Sequence, residues 1–502
     1  MPELDWFETL AGHGLQSVLL REAGRDWQVA EMLEGMRQLL PTLDKVRVLA
    51  VLADNGTPWV LADLAAQAAQ VVHLPLPAFF SDAQLQHALA LAGADLLLTD
   101  QPARIEGLRA GFQPAGTWLG LQLMRRDVAA AGLPPGTAKL SFTSGSTGAP
   151  KGVCLSVAGL LDTARAVDAR LRALPLRSHL AVLPLALLLE NVAGVYAPLL
   201  RGLPVHLRPL SALGWRGGAG FDPASLDALQ RACAASSVIL VPELLKAWTL
   251  WLQSGALRAC SCLQFVAVGG AKVAAQLLRA ARGVGLPVAQ GYGLTEAGSV
   301  VSLNLPDGAI GGVRRQEDDS DETVGLPLAH ARVSIDQGEV VVGTRAFLGY
   351  AGDVQPAPAR FRTGDLGGLD ARGRLRLNGR RKNLLISSYG RNISPEWIEA
   401  LLLADARVLQ AVVSGDGRPA PVALLVAAPG VRPAALDHVV QAVNRELPDY
   451  ARLRAWAGVL PFSPADGTAS PNGRPVRARI EARDQTIIDA LYQEESTQNE
   501  FL

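Results

Sequence analysis

Lysine is nearly absent from this 502-residue chain. Only Lys45, Lys139, Lys151, Lys246, Lys272 and Lys382 occur, and arginine supplies the rest of the 47 basic residues. A position where lysine is usual can therefore carry arginine here through compositional drift, with the charge kept and the shape changed. Neither sign of charge is in excess, since 47 acidic residues balance the 47 basic ones. That excludes partners held by bulk electrostatics, such as nucleic acid or an anionic membrane. Cysteine is scarce as well: Cys154, Cys233, Cys260 and Cys262. The spacing of the last two fits no zinc or redox motif, so small buried thiols in a reducing compartment are expected. Long apolar runs are missing too. The longest, Leu180–Leu189, stops at Glu190-Asn191 after ten residues, short of the ~18–20 that a membrane span needs. It reads as buried core or the wall of a pocket. The first residues, Met1-Pro-Glu-Leu-Asp-Trp, lack the basic-then-apolar layout of a signal peptide. A cytoplasmic protein is the expectation.

What is present is core-forming material: 49% of residues are hydrophobic, enough for one large domain and a smaller one. The first 140 residues alternate strand and helix patterns. Val46–Ala53 is an apolar run closed by the turn residues Asp54-Asn55-Gly56, and Trp59–Gln70 reads as a helix. Val71–Pro77 is a second strand, Ser81 is the N-cap of a further helix, and Asp95–Thr99 is a third strand. The pattern returns with Ser237–Val241, a helix from Pro242, and Phe265–Val268 before Gly269-Gly270. This is an α/β chain with doubly wound parallel sheets. From Thr323 to Gly349 strands shorten and turns multiply, which predicts a β-rich subdomain; Gly308–Asp321 reads as an exposed loop. A last segment carries its own α+β pattern, giving domains over 1–378 and 379–502, with a polar tail after Leu491 that frays.

The sharpest local signal runs from Leu140 to Ser156, LSFTSGSTGAPKGVCLS. An apolar strand enters a loop of small hydroxyl residues and glycines and leaves through a lysine. Gly145 and Gly148 let backbone N–H groups approach a phosphate closely. Thr143, Ser144, Ser146 and Thr147 add hydroxyl donors, and Lys151 adds charge. The common phosphate loop GxxxxGK[ST] is a different pattern, because Pro150 stands at the sixth position from Gly145 and Gly152 follows the lysine.

Residues 141–153 resemble the signature [S/T]SG[S/T]TGxPKG of the adenylate-forming superfamily, which includes acyl- and aryl-CoA synthetases, luciferases and peptide-synthetase adenylation domains. Three further motifs follow in that family's order, so the likeness covers roughly residues 45–480. The second is Gln290-Gly-Tyr-Gly-Leu-Thr-Glu-Ala297. The resemblance implies an ATP site in which Gly291 and Gly293 flank Tyr292 on the adenine, Thr295 contacts the α-phosphate and Glu296 helps bind Mg²⁺. Gly270 and Ala271 look like the family's adenine-side strand end. The third is Phe361-Arg-Thr-Gly-Asp-Leu366, where Asp365 is expected to accept hydrogen bonds from both ribose hydroxyls. The fourth, from Gly379 to Glu399, looks like the hinge motif: Arg380 would contact ribose or phosphates and Lys382 would sit at the hinge. Members of the family rotate a small mobile C-terminal domain between two half-reactions.

Two departures from the family stand out. Its C-terminal catalytic lysine lies in an NGK motif; here the segment reads Ser470-Pro-Asn-Gly-Arg-Pro, so Arg474 holds that place. Either Arg474 bridges the carboxylate and α-phosphate as charge builds, or adenylation is impaired. Fatty acyl-CoA synthetases often read LPLxHxxE near the acyl pocket. In Leu183–Glu190, Leu187 replaces the histidine and Glu190 matches the glutamate. The more apolar wall favours an alkyl chain. The resemblance thus implies a ligase of fatty acid metabolism that uses ATP and Mg²⁺ to turn a small-molecule carboxylic acid into acyl-AMP. The acyl group then goes to a thiol, that of CoA or of the pantetheine on an acyl carrier protein. An aryl-acid ligase and a catalytically impaired ATP-binding homologue stay open. The insertion typical of fatty acyl-AMP ligases is not evident.

Overall fold

The computed structural model describes residues 5–143, 151–216, 220–306, 319–353, 357–470 and 473–493. The described residues build two large sheets side by side, a four-stranded sheet, and a smaller three-stranded one. In the eight-stranded sheet the central strands Val72–Pro75, Val48–Leu52 and Leu96–Thr99 are parallel, with the helices Thr57–Ala68 and Asp82–Ala92 as crossovers. Val48–Leu52 is buried at every position, as a strand covered on both faces must be. Ser81 caps its helix: its hydroxyl accepts from the Gln84 N–H, and the Gln84 side chain accepts from the Ser81 N–H. The parallel core is flanked by antiparallel pairs, notably Lys139–Thr143 with Lys151–Leu155. In the nine-stranded sheet, Ser237–Leu240, Phe265–Val268 and Val288–Tyr292 run parallel.

Between the two sheets lies the main core, packed around Trp6, Trp59, Met32, Met36 and Tyr196. The Leu180–Leu189 run is buried or half-buried and passes into a π-helix, Glu190–Tyr196. Such wide turns recur near functional sites. The β-rich region expected after residue 323 is the four-stranded sheet, where Phe361–Leu369 pairs with Leu375–Arg380. Most of the predicted loop Gly308–Asp321 lies outside the described residues, and Asp319–Glu322 forms a 3₁₀ turn. The C-terminal part packs the helices Pro395–Leu403 and Pro433–Glu446 on the strands Val408–Ser414 and Val422–Ala427 around its own core. Helix Arg477–Gln493 continues past Leu491, to the edge of the described residues. One sequence expectation is corrected here. Cys260 and Cys262 are disulfide-bonded to each other rather than held as separate thiols, and their Cα atoms lie 5.3 Å apart across a tight turn. Cys154 and Cys233 are free, the first buried and the second half-buried. Among the described residues no helix is long and apolar enough to cross a membrane.

Candidate active site

The site lies beyond the carboxyl ends of the parallel strands, where open α/β sheets bind ligands. Each motif sits there for a local reason. Thr143 and Lys151 are paired across antiparallel strands, so the loop between them closes a hairpin; its residues Ser144, Gly145, Ser146, Thr147 and Gly148 lie outside the described residues. The Lys151 ammonium is 5.3 Å from the centroid of the Tyr350 ring, within cation–π range. Gly270, in the left-handed region at φ 86°, turns the chain as it leaves the strand Phe265–Val268, with Ala271 beside it. At Gly293 an added Cβ would lie 1.6 Å from the Ser299 carbonyl oxygen, so no side chain fits between Tyr292 and the following turn. Thr295 and Glu296 form a 3₁₀ turn after the strand Val288–Tyr292.

The hydrogen bonds tie these pieces together. Tyr292 donates its hydroxyl to Asp365 Oδ2 at 2.6 Å, and Arg380 donates its Nε to Asp365 Oδ1 at 2.9 Å. Burial, with Asp365 second, raises the Tyr292 phenol far above its ordinary range, so it stays a donor. Both Asp365 oxygens are thus engaged. Glu296 accepts from the Tyr350 hydroxyl at 2.9 Å, and burial followed by this carboxylate raises the Tyr350 phenol as well. Tyr350 went unread in the sequence. It sits on a short strand, Phe347–Tyr350, with no pattern that separates it from packing aromatics.

Positive charge converges on the cleft. Lys382 lies in the 3₁₀ turn Arg381–Asn383, directly after the strand that ends at Arg380. Burial, then Arg380 and Lys151, pull its ammonium below the usual lysine range, while Asp365 and Glu396 oppose them. Arg474 enters from the C-terminal part and donates Nη2 to the Gly270 carbonyl at 2.7 Å. Enclosure comes first, and Arg380 second, in pulling its guanidinium down; Glu243 works against both. Four cations from three segments thus border one space, an arrangement suited to an oligophosphate. Among the described residues no group of three or more His, Cys, Asp or Glu side chains could hold a metal. Glu296 is a lone carboxylate, which fits Mg²⁺ carried largely by phosphates.

The same cavity, of about 1780 Å³, continues from Gly270, Tyr292, Thr295 and Arg474 to a wall of Leu185, Leu187, Leu188, Leu189, Ile239 and Leu244. That wall is held by a buried pair the sequence did not reveal. His179 Nε2 is 2.8 Å from Glu190 Oε1, and Glu190 Oε2 accepts from the Leu183 N–H at 2.9 Å. Glu190 therefore fixes the path of Leu183–Leu189 from behind. A second hidden cluster lies deeper. Lys139 Nζ donates to Asp63 Oδ2 at 2.8 Å and to the Tyr196 hydroxyl at 2.8 Å, with His73 Nδ1 2.8 Å from Asp63 Oδ1. All four side chains are buried.

Comparison with known proteins shows the family. The family model for the AMP-binding enzyme matches residues 30–346, and that for the AMP-binding enzyme C-terminal domain matches residues 382–496. The chain belongs to this family, within the adenylate-forming superfamily. It is similar to the long-chain-fatty-acid–CoA ligase FadD15 of Mycobacterium bovis, at 36% identity over 159 residues, 30% of this chain and 25% of that protein. It is also similar to the 2-succinylbenzoate–CoA ligase of Bacillus velezensis, at 29% identity over 299 residues, 56% of each chain. The matched stretch thus spans from a quarter to just over half of these curated relatives' length. Among solved structures, o-succinylbenzoate CoA synthetase (MenE) from Bacillus subtilis in complex with its acyl-adenylate OSB-AMP superposes with a TM-score of 0.75 at 21% identity, over 95% of this chain and 98% of that one. The anthranilate CoA ligase AuaEII in complex with anthranoyl-AMP gives 0.77 at 17% identity, over 96% and 98%. These two share the fold.

Proposed function

We propose that the protein is an AMP-forming acid–thiol ligase that activates a medium- or long-chain fatty acid and passes the acyl group to a thiol, most directly that of CoA. The observation that carries this reading is the single continuous cavity. One end holds Lys151, Arg380, Lys382, Arg474 and Glu296, and the other is walled by leucines. In the first step a carboxylate oxygen attacks the α-phosphorus of ATP, and pyrophosphate leaves with the electron pair of the broken P–O bond. Arg474, reaching the Gly270 carbonyl, stands where negative charge accumulates between carboxylate and phosphate. Lys151 and Lys382 face the departing phosphates, and Asp365 with Tyr292 orients the ribose. Glu296 would help to hold Mg²⁺, which would supply further neutralisation of the phosphate charge. In the second step a thiol sulfur attacks the acyl carbon, the thiol proton is released, and AMP departs.

The chain length of the acid is set by the leucine wall. Each CH₂ buried there contributes about 0.8 kcal/mol, so kcat/KM should rise roughly three- to fourfold per added methylene until the pocket is filled. A series of saturated acids run beside benzoates tests this. An aryl-acid ligase, the reading that the 2-succinylbenzoate ligases among the relatives support, would instead prefer the benzoates and show no such rise. In the same assay Leu187→Trp should move the preferred acid to a shorter chain with KM for ATP unchanged. An unchanged length profile would take Leu187 out of the pocket. Thioester formation with free CoA, set against transfer to pantetheine on an acyl carrier protein, distinguishes the two acceptors.

A further inference from the structure

Lys246 is one of six lysines in the chain, and neither the phosphate nor the acyl end of the cleft uses it. It lies on the helix Pro242–Ser254, one turn beyond Glu243, on the N-terminal side of the cleft. Its Nζ donates to two backbone carbonyls of the C-terminal part, Asp405 O at 2.7 Å and Val408 O at 2.7 Å. The Asp405 carbonyl lies in the turn that follows the helix Pro395–Leu403, where the negative end of the helix dipole favours a cation, and Val408 opens the strand Val408–Ser414 directly after that turn. That turn is stiffened internally. Arg407 donates from Nε and Nη2 to the Asp405 carboxylate at 2.8 and 2.7 Å, and the Asp405 carbonyl accepts from the Val408 N–H at 3.3 Å as well as from Lys246. A compact ammonium serves two nearby carbonyls better than the planar fork of arginine, a reason for lysine to persist here in an arginine-rich chain.

From this contact a series of hydrogen bonds leads to the cleft. Two residues past Val408, the Gln410 side chain brackets the Phe462 backbone. Its Nε2 donates to the Phe462 carbonyl at 3.0 Å, and its Oε1 accepts from the Phe462 N–H at 2.7 Å. Phe462 opens the segment that ends in Arg474. Along it the Ser463 N–H donates to Thr468 Oγ1 at 2.9 Å, and the Arg474 N–H donates to Ser470 Oγ at 3.0 Å. Phe462, Gln410 and Arg474 all line the cavity.

We propose that Lys246 is a positioning residue for the adenylation step: it seats the Asp405–Val408 turn and, through Gln410 and Phe462, holds Arg474 in the cleft. This rests on the reading of the site as one that forms acyl-AMP. Glu243, on the same helix, faces both Lys246 and Arg474, so a single helix serves as the dock. Lys246 touches neither substrate, so its loss withdraws Arg474 without altering the ground-state contacts of ATP or acid.

The test uses the full chain in two assays, acid-dependent ATP–pyrophosphate exchange and thioester formation from preformed acyl-AMP plus CoA. Lys246→Met keeps the aliphatic stem and removes the donors. It should lower kcat for exchange about tenfold, the worth of roughly one charged hydrogen bond, with both KM values within about twofold and the second assay unchanged. Thr468→Val lies outside the cavity lining and removes the hydroxyl that accepts from the Ser463 N–H. It breaks the path inside the C-terminal part, should give the same split and keeps the proposal testable if the first variant misfolds. Equal losses in both assays, or unimpaired exchange in both variants, would overturn the proposal and leave the adenylation reading standing. No exchange in the unaltered protein with any acid would remove both.

Discussion

Replacing Arg474 with alanine is expected to lower acid-dependent ATP–pyrophosphate exchange by about 10²–10³-fold, the usual cost of removing one preorganised charge-stabilising donor. Thioester formation from preformed acyl-AMP should change little in the same variant. The asymmetry follows from position. Arg474 donates to the Gly270 carbonyl and lines the same cavity as Tyr292, Thr295 and the leucine wall, where under the proposed function the P–O bond to the carboxylate would form and the one to pyrophosphate would break. The second half-reaction develops its charge on a departing AMP and needs no cation between carboxylate and α-phosphorus. Arg474→Lys, restoring the residue usual in the family, should retain most of the exchange activity, because the point charge is kept. Losses of equal size in the two half-reactions would show that Arg474 serves the fold and not the adenylation step.

Asp63→Ala is expected to destabilise the protein by about 3–5 kcal/mol, the cost of leaving one partner of a buried ion pair uncompensated. The Lys139 ammonium would then lie among Tyr196, Asn191 and Trp59 with no carboxylate, at 1% exposure. Combining Asp63→Leu with Lys139→Met should recover part of that loss, because the unpaired buried charge is gone while Tyr196, Asn191 and His73 still lose their partner on Asp63. Equilibrium denaturation of Asp63→Leu, Lys139→Met and the double variant measures the coupling. The pH dependence has a definite sign. Burial alone would raise the Asp63 carboxyl, but the Lys139 ammonium and His73 overrule it and hold the group well below its ordinary range. Stability from this pair is therefore present above the unfolded carboxylate value near ~3.9 and is lost as pH falls toward the depressed folded value. The double variant should lose that acid-side slope. A double variant no more stable than Asp63→Ala would show that the pair is not the source of the stability.

The parts of this molecule legible in the sequence are those written by local pattern. Ser81 announces its helix because a capping box is a four-residue signal, and Val48–Leu52 announces a covered strand because every position is apolar. The family was legible because four motifs of glycines, hydroxyls and carboxylates follow one another in a fixed order. Lys139 was not legible. A lysine at the start of a strand reads as solvent-facing, and its partners Asp63 and Tyr196 are 76 and 57 residues away. Asp63 was hidden for a related reason: the helix Thr57–Ala68 is buried over most of its circumference, polar residues included, so periodicity could not say which face turns inward. Lys246 and Val408 are 162 residues apart and meet only through the docking of one part on the other. Glu190 was matched by motif, but its bond to His179 depends on a π-helix that no sequence period announces.

The central claim is that one cavity joins a site for ATP to a pocket for an alkyl carboxylic acid, and that the carboxylate attacks the α-phosphorus. ATP–pyrophosphate exchange measured across a panel of saturated fatty acids and benzoates tests it most directly, because exchange requires reversible acyl-AMP formation and no acceptor thiol. Exchange that depends on the acid and strengthens with chain length is the predicted result; a panel in which no acid stimulates exchange would contradict the account.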